Sequence, residues 1–256
     1  LRAFRRCQHK YRDYLGEFMA TLVFLILGLA VNAQYTLWSK ATDSFAACYG
    51  WGFAIVCGVY VGRRISSAHL NPAVTLSLYL FRGFPGRKVA GYCVAQLLGA
   101  FLATAVVYGC FRSGLDKFDG GIRQWQGEQA TSNIFYVHPR PEVSFANHFL
   151  SEFVGSCILM IVICAVSDRH NNHDSDIVLP ISLGFTVASV LLSLGYSTGL
   201  SINPARDIGP RLFGLCVYGS SAFSNNHYYF WVPTVAAFVG APAGCLLYDL
   251  FVPSTP

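Results

Sequence analysis

The sequence predicts an all-α membrane protein with six transmembrane helices and two re-entrant half-helices arranged as an inverted repeat. This prediction rests on a composition rich in apolar residues, on six apolar runs of membrane-spanning length, and on motifs that occur once in each half of the chain. Of the 256 residues, 54% are hydrophobic, 15% are aromatic and 12% are charged. A soluble domain carries roughly 25% charged residues, and disordered chains lack large apolar side chains, so both classes are excluded.

Six apolar runs approach or exceed the roughly 20 residues that a bilayer-spanning helix needs. They lie near residues 14–31, 46–62, 89–111, 147–167, 177–198 and 228–248. The interior charges of these runs are two carboxylates, Glu17 in the first and Glu152 in the fourth. A proton relay is one hypothesis for intramembrane carboxylates. Their matched placement favours a different role, in which each accepts backbone hydrogen bonds from a re-entrant loop.

Small residues within the runs predict how the helices pack. Gly58 and Gly62, and likewise Gly240 and Gly244, are spaced four residues apart, which lets helices approach closely in lipid. Eight of the nine cysteines lie in or beside apolar runs without a CxxC spacing. They are interpreted as small buried apolar side chains, so neither a metal site nor a redox pair is predicted.

The distribution of Lys and Arg predicts the orientation, because cytoplasmic loops retain positive charge. One side holds Arg2, Arg5, Arg6, Lys10, Arg12, Arg63, Arg64, Arg82, Arg87, Lys88 and Arg169, whereas the other holds Lys40, Arg112, Lys117, Arg123 and Arg140. Both termini are therefore predicted to be cytoplasmic, in a multi-pass protein of the plasma membrane. The net charge of +5 reflects this orientation, and no clustered basic face for nucleic acid is predicted.

The two halves of the chain repeat the same elements in the same order. Asn71-Pro72-Ala73 follows the second apolar run, and Asn203-Pro204-Ala205 follows the fifth. Each half contains three spans, so the second half enters the membrane from the opposite side and the repeat is inverted. We therefore expect one membrane domain over residues 1–256, with repeats at about 14–111 and 147–251.

Each Asn-Pro-Ala triplet is predicted to begin a half-helix, with helix-compatible residues over 74–81 and 206–213. Asn is a favourable N-cap, and Pro suits the first helical position because it has no amide hydrogen to leave unpaired. Inverted symmetry brings the two N-termini together at the bilayer centre, where each carries roughly half a positive elementary charge. That field repels cations and protons, while the amides of Asn71 and Asn203 can donate hydrogen bonds to a passing oxygen.

The segments before the triplets are predicted to be extended and to expose carbonyl oxygens to a cavity, because irregular backbone at this depth needs such a setting. The predicted pore-lining carbonyls belong to Ser67, Ala68, His69, Leu70, Gly199, Leu200, Ser201 and Ile202. The His69 ring is expected to brace its loop, with pH sensing or pore lining as alternatives, and Gln96 is expected to brace the same loop. The sequence thus predicts a narrow polar pathway for neutral hydroxylic solutes.

At these residues the chain resembles the major intrinsic protein family, and within it the aquaglyceroporins. The resemblance covers almost the whole chain and is strongest over Ser67–Thr75 and Gly199–Arg211. It implies an aquaporin-like fold, a homotetramer with one pore per protomer in the lipid bilayer, no cofactor, and passage of glycerol, other small neutral polyols and water. Asp207, directly after Asn-Pro-Ala-Arg, and the long third loop at about 112–145 are similar to the glycerol-conducting branch.

The resemblance also implies an outer constriction formed by Arg206 and Trp51. Arg206 is a permanent cation that donates to two hydroxyls at once, and Trp51 offers a flat apolar wall to the carbon edge of a polyol. Leu200 stands where bacterial glycerol facilitators have a second aromatic residue. Leu191 stands where a glycine usually keeps the constriction wide, and whether it faces the pore stays open. Asp207 is expected to support the loops together with Glu17, Glu152 and Gln96.

Three other functions compete with this one. A water-selective aquaporin is the main alternative, and an ion-coupled secondary transporter would also use inverted repeats and broken helices. A transporter needs a coupling-ion site, yet the spans offer two carboxylates, both near helix starts. A membrane-embedded enzyme needs a nucleophile–base pair or a metal cluster at depth, and no such partner for His69 is evident, so no enzymatic activity is predicted.

Overall fold

The computed structural model describes residues 2–38, 43–168, 170–171 and 175–252, and within these ranges it contains helices and loops but no β-strand. In chain order the helices are α1 (Arg2–Lys10), α2 (Arg12–Leu37), α3 (Ser44–Ser66), α4 (Pro72–Phe81), α5 (Gly86–Cys110), α6 (Arg112–Asp119), α7 (Phe145–Ser167), α8 (Ser175–Leu194), α9 (Pro204–Tyr218), α10 (Ser221–Tyr228) and α11 (Trp231–Phe251). A 3-10 helix over Ser132–Ile134, called the 3-10 turn below, lies between α6 and α7. Lys40 and Arg169, which were counted for the orientation, lie outside the described residues.

Six helices in the described part of the chain are long and apolar enough to cross a membrane. They are α2, α3, α5, α7, α8 and α11, which correspond in order to the six apolar runs. The predicted fold class is therefore confirmed. Large apolar side chains on the outside of these helices, such as Phe53 and Phe185, are 68% and 66% exposed, as expected for surfaces that meet lipid or another subunit.

Several helix ends differ from the sequence-based prediction; the first span, for example, ends at Leu37 instead of 31. Two of the differences lie beside the second re-entrant loop or in its half-helix. The fifth span ends at Leu194 instead of 198, because residues 195–198 turn into the re-entrant loop and the Thr198 hydroxyl donates to Glu152. The second half-helix extends to Tyr218 instead of 213 and contains Pro210. It ends at Gly219, whose φ of 65° interrupts the helix.

Glycines allow close contacts between helices at both predicted pairs. A Cβ added to Gly62 on α3 would lie 2.9 Å from the Cβ of Ala20 on α2. On α11, a Cβ added to Gly240 would lie 2.3 Å from the backbone oxygen of Phe153, and one added to Gly244 would lie 2.4 Å from that of Cys157. Both distances are shorter than any normal contact, so these positions require glycine.

The cysteine interpretation needs two corrections. Cys57, Cys110 and Cys216 are exposed, because they lie on outward faces of their helices. The Sγ atoms of Cys164 on α7 and Cys245 on α11, both buried, lie 3.4 Å apart and share a hydrogen bond. This proximity has no local sequence signal, since the two residues are separated by 81 positions.

The two re-entrant loops share left-handed backbone angles at corresponding positions, so the prediction that both segments are extended throughout is wrong. Positive φ angles occur at Ser67, Ala68 and Leu70 in the first loop and at Gly199, Leu200 and Ile202 in the second. Corresponding members are all 132 residues apart. Such angles are costly for residues with a Cβ, so both loops must be held in place by their surroundings. The repeat predicted from the motifs therefore extends to the backbone angles.

Candidate functional site: a cavity between the two repeats

A cavity of about 530 Å³ lies between the helices, and residues of both repeats line it. Of the predicted site residues, its lining includes Trp51, Ser67, Ala68, His69, Leu70, Asn71, Leu191, Leu200, Ser201, Ile202, Asn203 and Arg206. Those that lie outside the lining are Glu17, Pro72, Ala73, Gln96, Glu152, Gly199, Pro204, Ala205 and Asp207. The structure thus brings the two loops and the four constriction residues together, and it answers the question about Leu191, which does line the cavity.

The asparagines of the two triplets act as helix N-caps. The Oδ1 atom of Asn71 accepts a hydrogen bond from the backbone N–H of Ala73 at 2.9 Å, and that of Asn203 accepts from Ala205 at 3.0 Å. Pro72 and Pro204 occupy the first turn of α4 and α9. The half-helices therefore begin at the triplets, as the capping chemistry predicts.

The same asparagines join the two repeats. The Nδ2 atom of Asn71 donates to the carbonyl oxygen of Ile202 at 2.9 Å, and that of Asn203 donates to the carbonyl oxygen of Leu70 at 2.8 Å. Each amide group carries two N–H donors, so one N–H per asparagine remains for a solute in the cavity. These bonds also occupy one lone pair on each of the Leu70 and Ile202 carbonyl oxygens, which the sequence predicts to line the pore.

Glu17 holds the first re-entrant loop from behind. Its Oε1 atom accepts from the Ser66 hydroxyl and from the backbone N–H of His69, both at 2.8 Å. Its Oε2 atom accepts from the backbone N–H of Leu70 at 2.9 Å and from Nε2 of Gln96 at 2.7 Å. The carboxylate is fully buried, so these four bonds replace its hydration.

Glu152 holds the second loop in the corresponding way. The backbone N–H of Ser201 lies 2.8 Å from Oε1 and 3.1 Å from Oε2, and the N–H of Ile202 donates to Oε2 at 2.8 Å. The Thr198 hydroxyl donates to Oε1 at 3.0 Å. Both carboxylates therefore face loop donors and not the cavity.

His69 lines the cavity and also contacts α4, α5 and the segment between them. Its Nδ1 atom lies 3.1 Å from the Thr75 hydroxyl. Its ring packs against Phe84 and Tyr92, with centroid distances of 4.7 and 5.0 Å. The side chain thus braces the loop, as expected, while it also forms part of the cavity surface.

Arg206 and Trp51 face each other at one part of the cavity. The guanidinium carbon of Arg206 lies 4.7 Å from the centre of the Trp51 ring, within the range of a cation–π contact. Nη1 of Arg206 donates to the backbone oxygen of Phe135 at 3.3 Å. Arg206 is 6% exposed, so its charge is desolvated except where it meets the cavity.

Asp207 holds the backbone of a loop, as expected, and this loop is the third one and not a re-entrant loop. Its Oδ1 atom accepts from the backbone N–H of Val137 at 3.0 Å, and its Oδ2 atom accepts from Nε of Arg211 at 2.6 Å. Arg211 also donates to the backbone oxygens of Val137 and Ala222, both at 2.7 Å. The buried Asp207–Arg211 pair on α9 therefore holds the backbone of the third loop at Val137.

Two residues that support the site, Asn32 and Arg211, are not predicted from the sequence. Asn32 on α2 bonds both to Trp51 and to the 3-10 turn, and the Asp207–Arg211 pair is completely buried. A polar residue at the end of an apolar span and an arginine inside an apolar half-helix are the signals that point to them.

Comparison with known proteins settles the family. The Major intrinsic protein family model matches residues 4–248. The chain belongs to this family. It is 43% identical over 259 aligned residues to "Probable aquaglyceroporin-2" of Gibberella zeae, covering 99% of this chain and 76% of the relative. It is 41% identical over 253 residues to "Aquaglyceroporin-3" of Trypanosoma brucei brucei, covering 97% of this chain and 81% of the relative.

A solved structure supports the same assignment. The X-ray structure of the aquaglyceroporin from Plasmodium falciparum superposes with a TM-score of 0.86 at 31% sequence identity, covering 94% of this chain and 96% of that one. The resemblance to the aquaglyceroporin branch that the motifs predict is therefore confirmed, and the protein is a multi-pass membrane protein of a channel family.

Proposed function

We propose that this major intrinsic protein is a passive channel that conducts glycerol, other small neutral polyols and water, and that excludes ions and protons. The observation that carries the proposal is the cavity in which Asn71 and Asn203 lie beside two half-helix N-termini, with Arg206 and Trp51 in the same lining. The relatives named aquaglyceroporins support the same function.

The lining suits a solute with one polar and one apolar edge. Loop carbonyls, asparagine amides and Arg206 supply hydrogen-bond donors and acceptors, while side chains such as Val59, Leu159 and Val187 supply apolar surface. A polyol presents hydroxyls along one edge and C–H groups along the other. Its hydroxyls can exchange water for protein partners while its carbon edge meets apolar groups, so little desolvation cost remains.

Exclusion of cations and protons follows from the two helix ends. Asn71 and Asn203 cap helices whose positive ends meet at the cavity, and Arg206 adds a fixed positive charge. Cations are repelled, and protons are repelled by the same field. A water oxygen that accepts hydrogen bonds from both asparagines has no lone pair left to accept from a neighbouring water, so it donates to both neighbours and interrupts proton transfer along a water chain.

Leu191 and Leu200 favour the second candidate, a water-selective channel, because both add apolar bulk to the cavity that Arg206 also lines. Stopped-flow light scattering on proteoliposomes separates the two. Shrinkage followed by re-swelling in a glycerol gradient, with slower re-swelling for larger polyols, is expected. Shrinkage without re-swelling makes the protein a water-only pore.

The assembly and placement form part of the proposal. We expect a single domain over residues 1–256 that forms a homotetramer with one pore per protomer, has no enzymatic activity, and lies in the plasma membrane with both termini cytoplasmic. Cys7 on α1 is exposed and tests the orientation. A membrane-impermeant maleimide should label it only after the cells are permeabilised, with Cys7→Ser as the control. Mass measurement in mild detergent tests the tetramer.

A further inference from the structure

Trp51 is held by a hydrogen bond that no pore motif contains. Its indole Nε1–H donates to Oδ1 of Asn32 at 2.9 Å. The indole nitrogen is a donor only, so this bond uses all of its hydrogen-bonding capacity. Asn32 lies on α2 and is not part of the cavity lining, so it reaches the solute pathway through Trp51.

Asn32 also connects Trp51 to the third loop. Its Nδ2 atom donates to the backbone oxygen of Ile134, the last residue of the 3-10 turn, at 3.0 Å. The next carbonyl along the chain, that of Phe135, accepts from Arg206 at 3.3 Å. Two consecutive carbonyls therefore hold the two faces of the constriction, one directly and the other through the Asn32 side chain.

The Trp51 ring is packed on α2 beside the residue that accepts its hydrogen bond. Phe24 packs against the indole edge-on, with ring centroids 5.6 Å apart. The ring also packs against Gly28 on α2. A Cβ added to Gly28 would lie 2.3 Å from the ring, so the ring fills the space that this glycine leaves. Asn32 lies one turn beyond Gly28 on the same helix, where its amide meets the indole nitrogen.

We infer that Asn32 is a positioning residue of the constriction, which keeps the Trp51 ring flat against the solute pathway and thereby sets the preference for polyols. The inference rests on the proposed function, because it names a further determinant of selectivity at the same site. A polyol needs the flat wall for its carbon edge. Water does not, because its contacts are hydrogen bonds.

The test is the ratio of glycerol to water permeability in proteoliposomes, normalised to the amount of folded channel. Asn32→Leu keeps the side-chain size but removes both hydrogen bonds. With the ring released, glycerol permeability should fall about two- to tenfold, the range expected for one hydrogen bond, while water permeability changes little. Gln34→Leu, at an exposed position on the same helix, is the matched control and should leave the ratio unchanged.

A second background separates the Trp51 bond from a general effect on the loop. Trp51→Phe keeps an aromatic ring but lacks the N–H donor, so adding Asn32→Leu to it should lower the ratio no further. An equal loss in both backgrounds would overturn the inference, as would parallel losses of water and glycerol flux in Asn32→Leu. A wild-type channel that carries water but no glycerol would overturn both the inference and the proposed function.

Discussion

The two buried glutamates predict unequal costs for the same substitution. In Glu17 the backbone N–H of His69 donates to one carboxylate oxygen and that of Leu70 to the other. A glutamine at this position has one acceptor oxygen, so Glu17→Gln leaves one buried backbone N–H without a partner. In Glu152 the N–H of Ile202 donates to Oε2 at 2.8 Å, and the N–H of Ser201 reaches both oxygens, Oε1 at 2.8 Å and Oε2 at 3.1 Å. A glutamine oxygen at the Oε2 position keeps the Ile202 bond and the longer Ser201 bond, so each backbone N–H retains an acceptor while the NH₂ group replaces Oε1 beside the Thr198 hydroxyl.

The difference between the two variants is the magnitude to measure. Both variants lose the extra strength that the carboxylate charge gives to their hydrogen bonds, and this loss cancels when the two are compared. The remaining difference is the one buried N–H that has no partner in Glu17→Gln, which lowers the free energy of unfolding by about 1–3 kcal/mol. For a chain of this size about 1 kcal/mol corresponds to roughly 2–4 °C, so Glu17→Gln should have an apparent Tm about 2–12 °C below that of Glu152→Gln.

Thermal unfolding in detergent, followed by intrinsic fluorescence, measures this difference. Glu128→Gln, on the exposed part of the third loop, is the control and should match the wild type. The reasoning requires that the two backbone donors use separate carboxylate oxygens at Glu17 but can share one oxygen at Glu152. Equal Tm values for Glu17→Gln and Glu152→Gln, or a lower value for Glu152→Gln, would refute it.

Three further predictions concern the pore, the packing and the third loop. Arg206→Ala should admit charged or larger solutes in a proteoliposome flux assay, because it removes the fixed cation; unchanged selectivity would reject that role. Gly240→Ala should lower the Tm by several degrees, since its Cβ would lie 2.3 Å from a backbone oxygen of α7, whereas Gly109→Ala, with open space around it, should not. Burial, with a smaller contribution from Arg211, lowers the pKa of His138 to about 3. As pH falls, His138 therefore takes up a proton in the unfolded chain before it does in the folded one, and the stability that it contributes should be lost between about pH 6.5 and 3. A His138→Gln variant whose Tm falls on acidification as much as that of the wild type would contradict this.

Local chemistry explains why the triplets and the spans were predictable. An Asn followed by a Pro favours the start of a helix, with Asn as the N-cap. An apolar run of membrane length forms a helix because its backbone polar groups must pair with one another inside the bilayer. The duplicated triplets also fix the inverted symmetry, because three spans separate them. Glu17 and Glu152 could be matched to their loops because they occupy corresponding positions in the two repeats.

Contacts between distant parts of the chain could not be predicted in this way. The bonds from Asn71 and Asn203 to the opposite loop depend on the distance between the half-helices, which no motif encodes. Which loop Asp207 holds depends on the rotation of α9, so the sequence predicts a loop contact but not that its partner is Val137. The third loop shows no periodicity, so the bonds from its backbone to Arg206 and Asn32 became visible only in three dimensions.

The rate of glycerol entry as a function of its concentration tests the channel function most directly. It is obtained from the re-swelling phase of proteoliposomes in stopped-flow light scattering, with and without a proton gradient across the membrane. A passive channel predicts a rate proportional to the glycerol gradient and unaffected by the proton gradient. A saturable rate that follows the proton gradient, or the absence of re-swelling, would contradict it.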